Sequence, residues 1–112
     1  MNTLNTLIDP TSKKEGETRT IVVPFIDKLR EDETLTGTPT VAELNTAALT
    51  ITDIGVTGQD VTIRGQTIEA GKAVQFSVSG GTARNDYTIR VRASGNTSPT
   101  QTLEYDMRLH VI

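Results

Sequence analysis

The chain has no cysteine, no tryptophan, and only two Phe and two Tyr among its 112 residues. The missing cysteine excludes disulfide staples, cysteine metal sites and a thiol nucleophile. It also fits synthesis in a reducing compartment. With so few aromatics, Val, Ile and Leu must fill the core. A chain of this length suits one domain and buries roughly two-thirds of the surface its unfolded form exposes. Long apolar runs are absent too. Ile21-Val22-Val23 is a typical stretch, whereas a membrane-spanning helix needs ~20 apolar residues. The first residues are polar and lack the apolar centre of a secretion signal. Net charge is −3, and Lys and Arg are not clustered as a nucleic-acid footprint requires. Neither a membrane nor a nucleic acid is expected as a partner.

Charge is unevenly placed: residues 1–33 carry 12 of the 25 charged side chains. Before Ile21 the apolar residues are Met1, Leu4, Leu7 and Ile8, and Asp9 to Glu17 contains none. Residues 1–20 therefore read as an extended arm outside the core, and residues 21–112 as the folded domain. Leu4, Leu7 and Ile8 have helical spacing, which suits one turn that docks on a partner. A frayed terminus is the alternative.

The rest of the chain has the pattern of short strands. Ile21 to Ile26 reads as the first, and Pro24, which has no ladder donor, places it at an edge or a bulge. Asp27 to Glu33 is charged, with Leu29 its one apolar residue, and reads as a solvated turn or a single helical turn. From Thr34 the period becomes two: Leu35, Gly37, Pro39 and Val41 alternate with Thr34, Thr36, Thr38 and Thr40. β-Branched Thr suits the solvent face of a strand, and Pro39 again argues for an edge. Residues 42–48 read as a connection, with a turn of helix as the alternative. Strands are expected at Leu49–Val56, Asp60–Arg64, Thr67–Glu69 and Ala73–Ser79, with glycines at the breaks. This spacing indicates an all-β antiparallel sandwich or a small barrel.

The most informative segment is the last. Odd positions are apolar or aromatic from Tyr87 to Ala93 and from Leu103 to Val111, and even positions are polar. Two such strands joined by residues 94–99 form a hairpin. Charge predicts its register: Arg92 opposite Glu104 puts Arg90 against Asp106 and Thr88 against Arg108. The inner face then pairs Val91 with Tyr105, Ile89 with Met107 and Tyr87 with Leu109. A slip of one residue would turn the apolar set to water. Tyr87, following Asn85-Asp86 at the start of a penultimate strand, suits a second role. Immunoglobulin-like sandwiches place a tyrosine there whose hydroxyl ties down the preceding corner; a ligand-binding tyrosine is the alternative.

Chemistry is hard to find. His110 is the one histidine and falls on the outer face, so neither a metal site nor a catalytic triad is expected. Gly80-Gly81-Thr82 lacks the downstream Lys and helix of a phosphate loop and instead fits positive φ in a turn. Asp27, Glu31, Asp32 and Glu33 lack the spacing and central Gly of a calcium loop. The residues predict no catalytic, metal or cofactor site and no cofactor.

Phe76-Ser77-Val78-Ser79-Gly80-Gly81-Thr82-Ala83, then Tyr87-Thr88-Ile89 and an alternating last strand, resemble a family. It is the small immunoglobulin-like virion proteins of tailed bacteriophages, the fibre–tail adaptors. Leu29 followed by Asp32-Glu33-Thr34-Leu35 adds to the likeness, which covers roughly residues 25–112. The chain departs from that family at Pro24-Phe25-Ile26-Asp27, where relatives carry a further aromatic, and in its longer N-terminal arm. The resemblance implies an immunoglobulin-like sandwich and a virion location after synthesis in the host cytoplasm. It also implies several copies in a symmetric assembly, and partners among the tail fibre, connector and major capsid proteins. It implies no catalytic residue. The alternatives are a capsid decoration protein and a carbohydrate-binding module. The second is disfavoured because the hairpin parity turns both tyrosines inward.

Overall fold

The computed structural model describes residues 11–44, 46–63 and 65–112. These form nine strands: β1 (Thr11–Lys13), β2 (Arg19–Pro24), β3 (Leu35–Glu43), β4 (Leu49–Val56), β5 (Val61–Ile63), β6 (Gln66–Ile68), β7 (Ala73–Gly80), β8 (Asn85–Gly95) and β9 (Thr102–Val111). There is no helix among the described residues, and hence none long and apolar enough to cross a membrane. One sheet has the order β1-β9-β8-β3 and the other β2-β7-β4, with β5-β6 as a separate hairpin. The chain is an all-β sandwich.

The inner faces follow from period-two patterning. Ile21 and Val23 of β2, and Val74, Phe76 and Val78 of β7, meet Leu35 of β3, Ile89, Val91 and Ala93 of β8, and Met107 and Leu109 of β9. Phe25, just past β2, closes the same cluster and is fully buried. Pro24 and Pro39 both lie on edge strands, as their missing donors require. The ladder of β3 with β8 shifts register between Thr36 and Thr40, around Pro39.

The hairpin register agrees with the expectation from charge at every pair. Arg92 faces Glu104, Arg90 faces Asp106 and Thr88 faces Arg108, with Val91–Tyr105, Ile89–Met107 and Tyr87–Leu109 on the inner face. Arg90 donates two hydrogen bonds to Asp106, at 2.8 and 3.0 Å, and Arg92 pairs with Glu104. These bonds hold the Asp106 carboxyl below its usual range.

Two expectations are corrected. The extended arm does not reach residue 20. Thr11–Lys13 is a strand parallel to β9, with Thr11 opposite Leu109 and Lys13 opposite Val111, and β2 already begins at Arg19. This stretch has no apolar residue, yet Lys13 is buried. Its stem is covered, and its ammonium donates to the carbonyls of Lys14, Glu15 and Glu17 at 2.8, 3.3 and 3.0 Å. The charged turn is not wholly solvated either. Glu33 is fully buried, and its Oε1 accepts the Arg30 N–H at 2.9 Å. Gly95 makes room for it, because a Cβ there would overlap the Glu33 carboxylate.

A second, smaller core went unread in the sequence. Ile68 and Ala73 are buried against Val22, Ile26, Val61 and Ile63. The unbroken run Ile21-Val22-Val23 was its signal. Three successive apolar residues on a strand mean that both faces are covered, here by the main core and by this cluster.

Candidate functional site

The Gly80–Arg84 corner is held by four other segments. Gly81 N–H donates to the Ala48 carbonyl at 3.1 Å, and Arg84 N–H to the Val111 carbonyl at 2.7 Å. Ala83 N–H donates to Glu15 Oε2 at 3.0 Å, and Thr82 N–H to the Tyr87 hydroxyl at 2.8 Å. Gly80 and Gly81 have φ of 83° and 87°, as the turn reading of this pair expects. A Cβ on Gly80 would lie 2.7 Å from the Ala48 carbonyl oxygen. The backbone donors of this corner thus face protein acceptors, and Tyr87 is buried as the corner's tie rather than displayed to a ligand.

The opposite end is closed as firmly. Arg30 donates to the carbonyls of Thr97 at 3.1 Å and Pro99 at 2.9 Å. Thr34 and Asn96 exchange two hydrogen bonds, at 2.9 and 3.1 Å. The loop joining β8 and β9 is therefore pinned to the turn that contains Glu33.

Among the described residues, one side remains open. Tyr105 points inward, as parity requires, but it stands at the rim and is half-buried. Its ring meets Phe25 edge-on at 5.1 Å, its hydroxyl donates to Asp27, and the Lys28 ammonium lies 4.8 Å from the ring centroid. Burial and the Asp27 carboxylate push the phenol well above its ordinary pKa. Beside it runs the outer edge of β9. There β1 covers Leu109–Val111 only, and no strand among the described residues pairs with 102–108 on that side.

The other edges are interrupted. β3 carries Pro39 and its register shift, β4 shifts between Thr52 and Gly55 with Asp53 at a φ of 55°, and β2 ends on Pro24. β9 keeps an unshifted register through all its pairs with β8. A shallow depression of about 690 Å³ lies along this edge, lined by Lys28, Arg92, Thr102, Leu103 and Glu104. These residues come from both faces of the sheet, as an open edge allows.

His110 is exposed, with Nδ1 2.6 Å from Asp86 Oδ1 on the outer face. No group of three or more metal-ligating side chains occurs among the described residues. Leu4, Leu7 and Ile8 lie outside the described residues. Comparison with family models, curated proteins and solved structures gives no match. The β9 edge is the surface that sequence reasoning missed. Its signal was the length of an alternating last strand with no Pro, Gly or bulge to blunt it.

Proposed function

We propose that this chain is a non-enzymatic virion structural protein of a tailed bacteriophage, a multi-copy adaptor joining tail fibres to the tail or connector. The observation that carries this reading is the corner in which Thr82 is tied to Tyr87. It lies within the segment that bears the resemblance, Phe76 to Ala83 and then Tyr87, and it has the geometry of the tyrosine tie of immunoglobulin-like sandwiches. Support also comes from a sandwich closed at both ends by hydrogen bonds, a form that suits a rigid spacer.

The test is the copy number of the chain in purified virions, by quantitative mass spectrometry. Tens of copies or fewer are expected for a tail adaptor. Hundreds would instead favour a decoration protein on the shell, and absence from the particle would overturn both. Deleting residues 1–10 tests the anchoring role assigned to Leu4, Leu7 and Ile8. This deletion leaves β1 in place, and unchanged incorporation into particles would remove that role.

A further inference from the structure

We propose that the β9 edge left open among the described residues is closed by the chain itself: residues 4–10 continue β1 as a strand parallel to residues 102–108. This reading does not depend on the adaptor proposal.

The path is set by the strand that follows. β1 runs parallel to β9, with Thr11 opposite Leu109, Ser12 opposite His110 and Lys13 opposite Val111. The chain therefore enters β1 from the side of Arg108, next to the stretch without a partner. Carried back in the same register, Pro10 falls opposite Arg108, Leu7 opposite Tyr105, and Leu4 opposite Thr102, where β9 begins. The segment is long enough to cover the whole open stretch. A long edge without Pro or bulge is a liability that native sheets cover.

The backbone fits this register. Ile112 N–H donates to the Lys13 carbonyl, so Lys13 turns its polar backbone groups toward β9. Alternation along a strand gives the same direction to Thr11, Asp9, Leu7 and Asn5. Pro10 takes the other direction. Its nitrogen is turned away from β9, where a missing N–H costs no ladder bond. On β9 the even residues face this edge, as Ile112 does, so the N–H groups of Glu104, Asp106 and Arg108 would donate to the carbonyls of Asn5, Leu7 and Asp9. The side chains fit as well. Lys13 and Val111 are both buried, so odd residues of the two strands share the inner face. Leu7 then lies against Tyr105 and beside Leu103, the two residues of the inner row of β9 that are only half-buried. Asp9 becomes an inward charge on the outermost strand and Pro10 an edge proline, and both stop a further strand from adding. Leu4 and Ile8 stay on the outer face, within reach of a partner. The register places these residues in a strand, in place of the helical turn that the spacing of Leu4, Leu7 and Ile8 suggests.

Amide hydrogen exchange of the full chain, followed residue by residue in dilute solution by NMR, tests this. The amides of Glu104, Asp106 and Arg108 should be protected in the wild type. Leu7→Pro removes an N–H turned toward β9 and should speed their exchange roughly tenfold or more. Thr6→Pro removes an N–H turned away from β9 and should leave their exchange unchanged. Odd residues of this strand face β8, as the Gln101 carbonyl does in accepting the Gly95 N–H. The amides of Tyr105 and Met107 should therefore stay protected in both variants, which reports that the sandwich is intact. Rapid exchange of Glu104, Asp106 and Arg108 in the wild type overturns the proposal. So does an equal response to the two prolines, or protection that rises with protein concentration, which would make a second copy the occupant.

Discussion

The hydroxyl of Tyr87 accepts the backbone N–H of Thr82 at 2.8 Å, joining the start of β8 to the turn before it. Tyr87→Phe keeps the ring and removes this acceptor. Loss of a single hydrogen bond of this kind costs about 1 kcal/mol. The variant should be less stable by that amount in a urea titration, with a lower midpoint and an unchanged dependence on urea. An unshifted midpoint would mean that the ring alone holds the corner.

Lys13 tests the corrected boundary between arm and domain. Its ammonium serves three carbonyls of the turn that follows β1. Lys13→Met preserves the buried stem and abolishes those bonds, at an expected cost of about 2 kcal/mol. If residues 11–20 were an arm outside the core, thermal unfolding of this variant would match the wild type.

In acid, Asp106 should contribute to unfolding. Arg90 holds its carboxyl below the usual value, so the folded state binds this proton less readily than the unfolded chain does. The contribution is complete above the unfolded value of about 4 and is lost as pH falls through the folded one. Both side chains are partly exposed, and solvent screening keeps the effect small. The loss of stability between about pH 5 and about pH 2 should be shallower in Asp106→Asn. Identical acid limbs in the two proteins would remove Asp106 from the account.

In alkali the relevant group is Tyr105. Burial, and then the Asp27 carboxylate that accepts its proton, raise its pKa, while Lys28 lies over the ring. The unfolded chain ionises its tyrosines near about pH 10. Above that pH the folded state retains a proton the unfolded state has lost, so stability falls as pH rises. In a Tyr87→Phe background Tyr105 is the one remaining phenol, and ultraviolet titration of the folded protein should show its ionisation well above the ordinary range. Ionisation near about pH 10 would contradict the burial of this ring.

What could be read in the sequence depended on whether a residue's environment followed from its type. The register of β8 with β9 was legible because two signals coincide, the parity of the apolar residues and the opposite charges of Arg90, Arg92, Glu104 and Asp106. Lys13 and Glu33 were not legible. A buried charge is compensated by particular groups, here the carbonyls of residues 14, 15 and 17 for Lys13 and the N–H and guanidinium of Arg30 for Glu33, and the sequence pattern does not announce that either side chain is buried. The open edge of β9 was half-legible. The strand could be drawn, but how much of its outer side β1 would cover depends on a pairing between residues almost a hundred apart. Leu4, Leu7 and Ile8 lie outside the described residues, so the role assigned to them rests on helical spacing alone.

The parallel pairing of β1 with β9 has a mechanical consequence. Thr11 starts the first strand beside Leu109, and the last strand leaves at Val111 beside Lys13; Ile112 N–H donates to the Lys13 carbonyl at 2.8 Å. Tension applied at the two ends of the chain therefore pulls these strands lengthwise past each other. Parallel ladder bonds are evenly spaced, so they are strained together in shear instead of opening one at a time like a zipper. A single-molecule pull on the two termini should show one abrupt rupture as β1 parts from β9, at lower force in Lys13→Met. A domain strung between two larger bodies would resist their separation through its first and last strands.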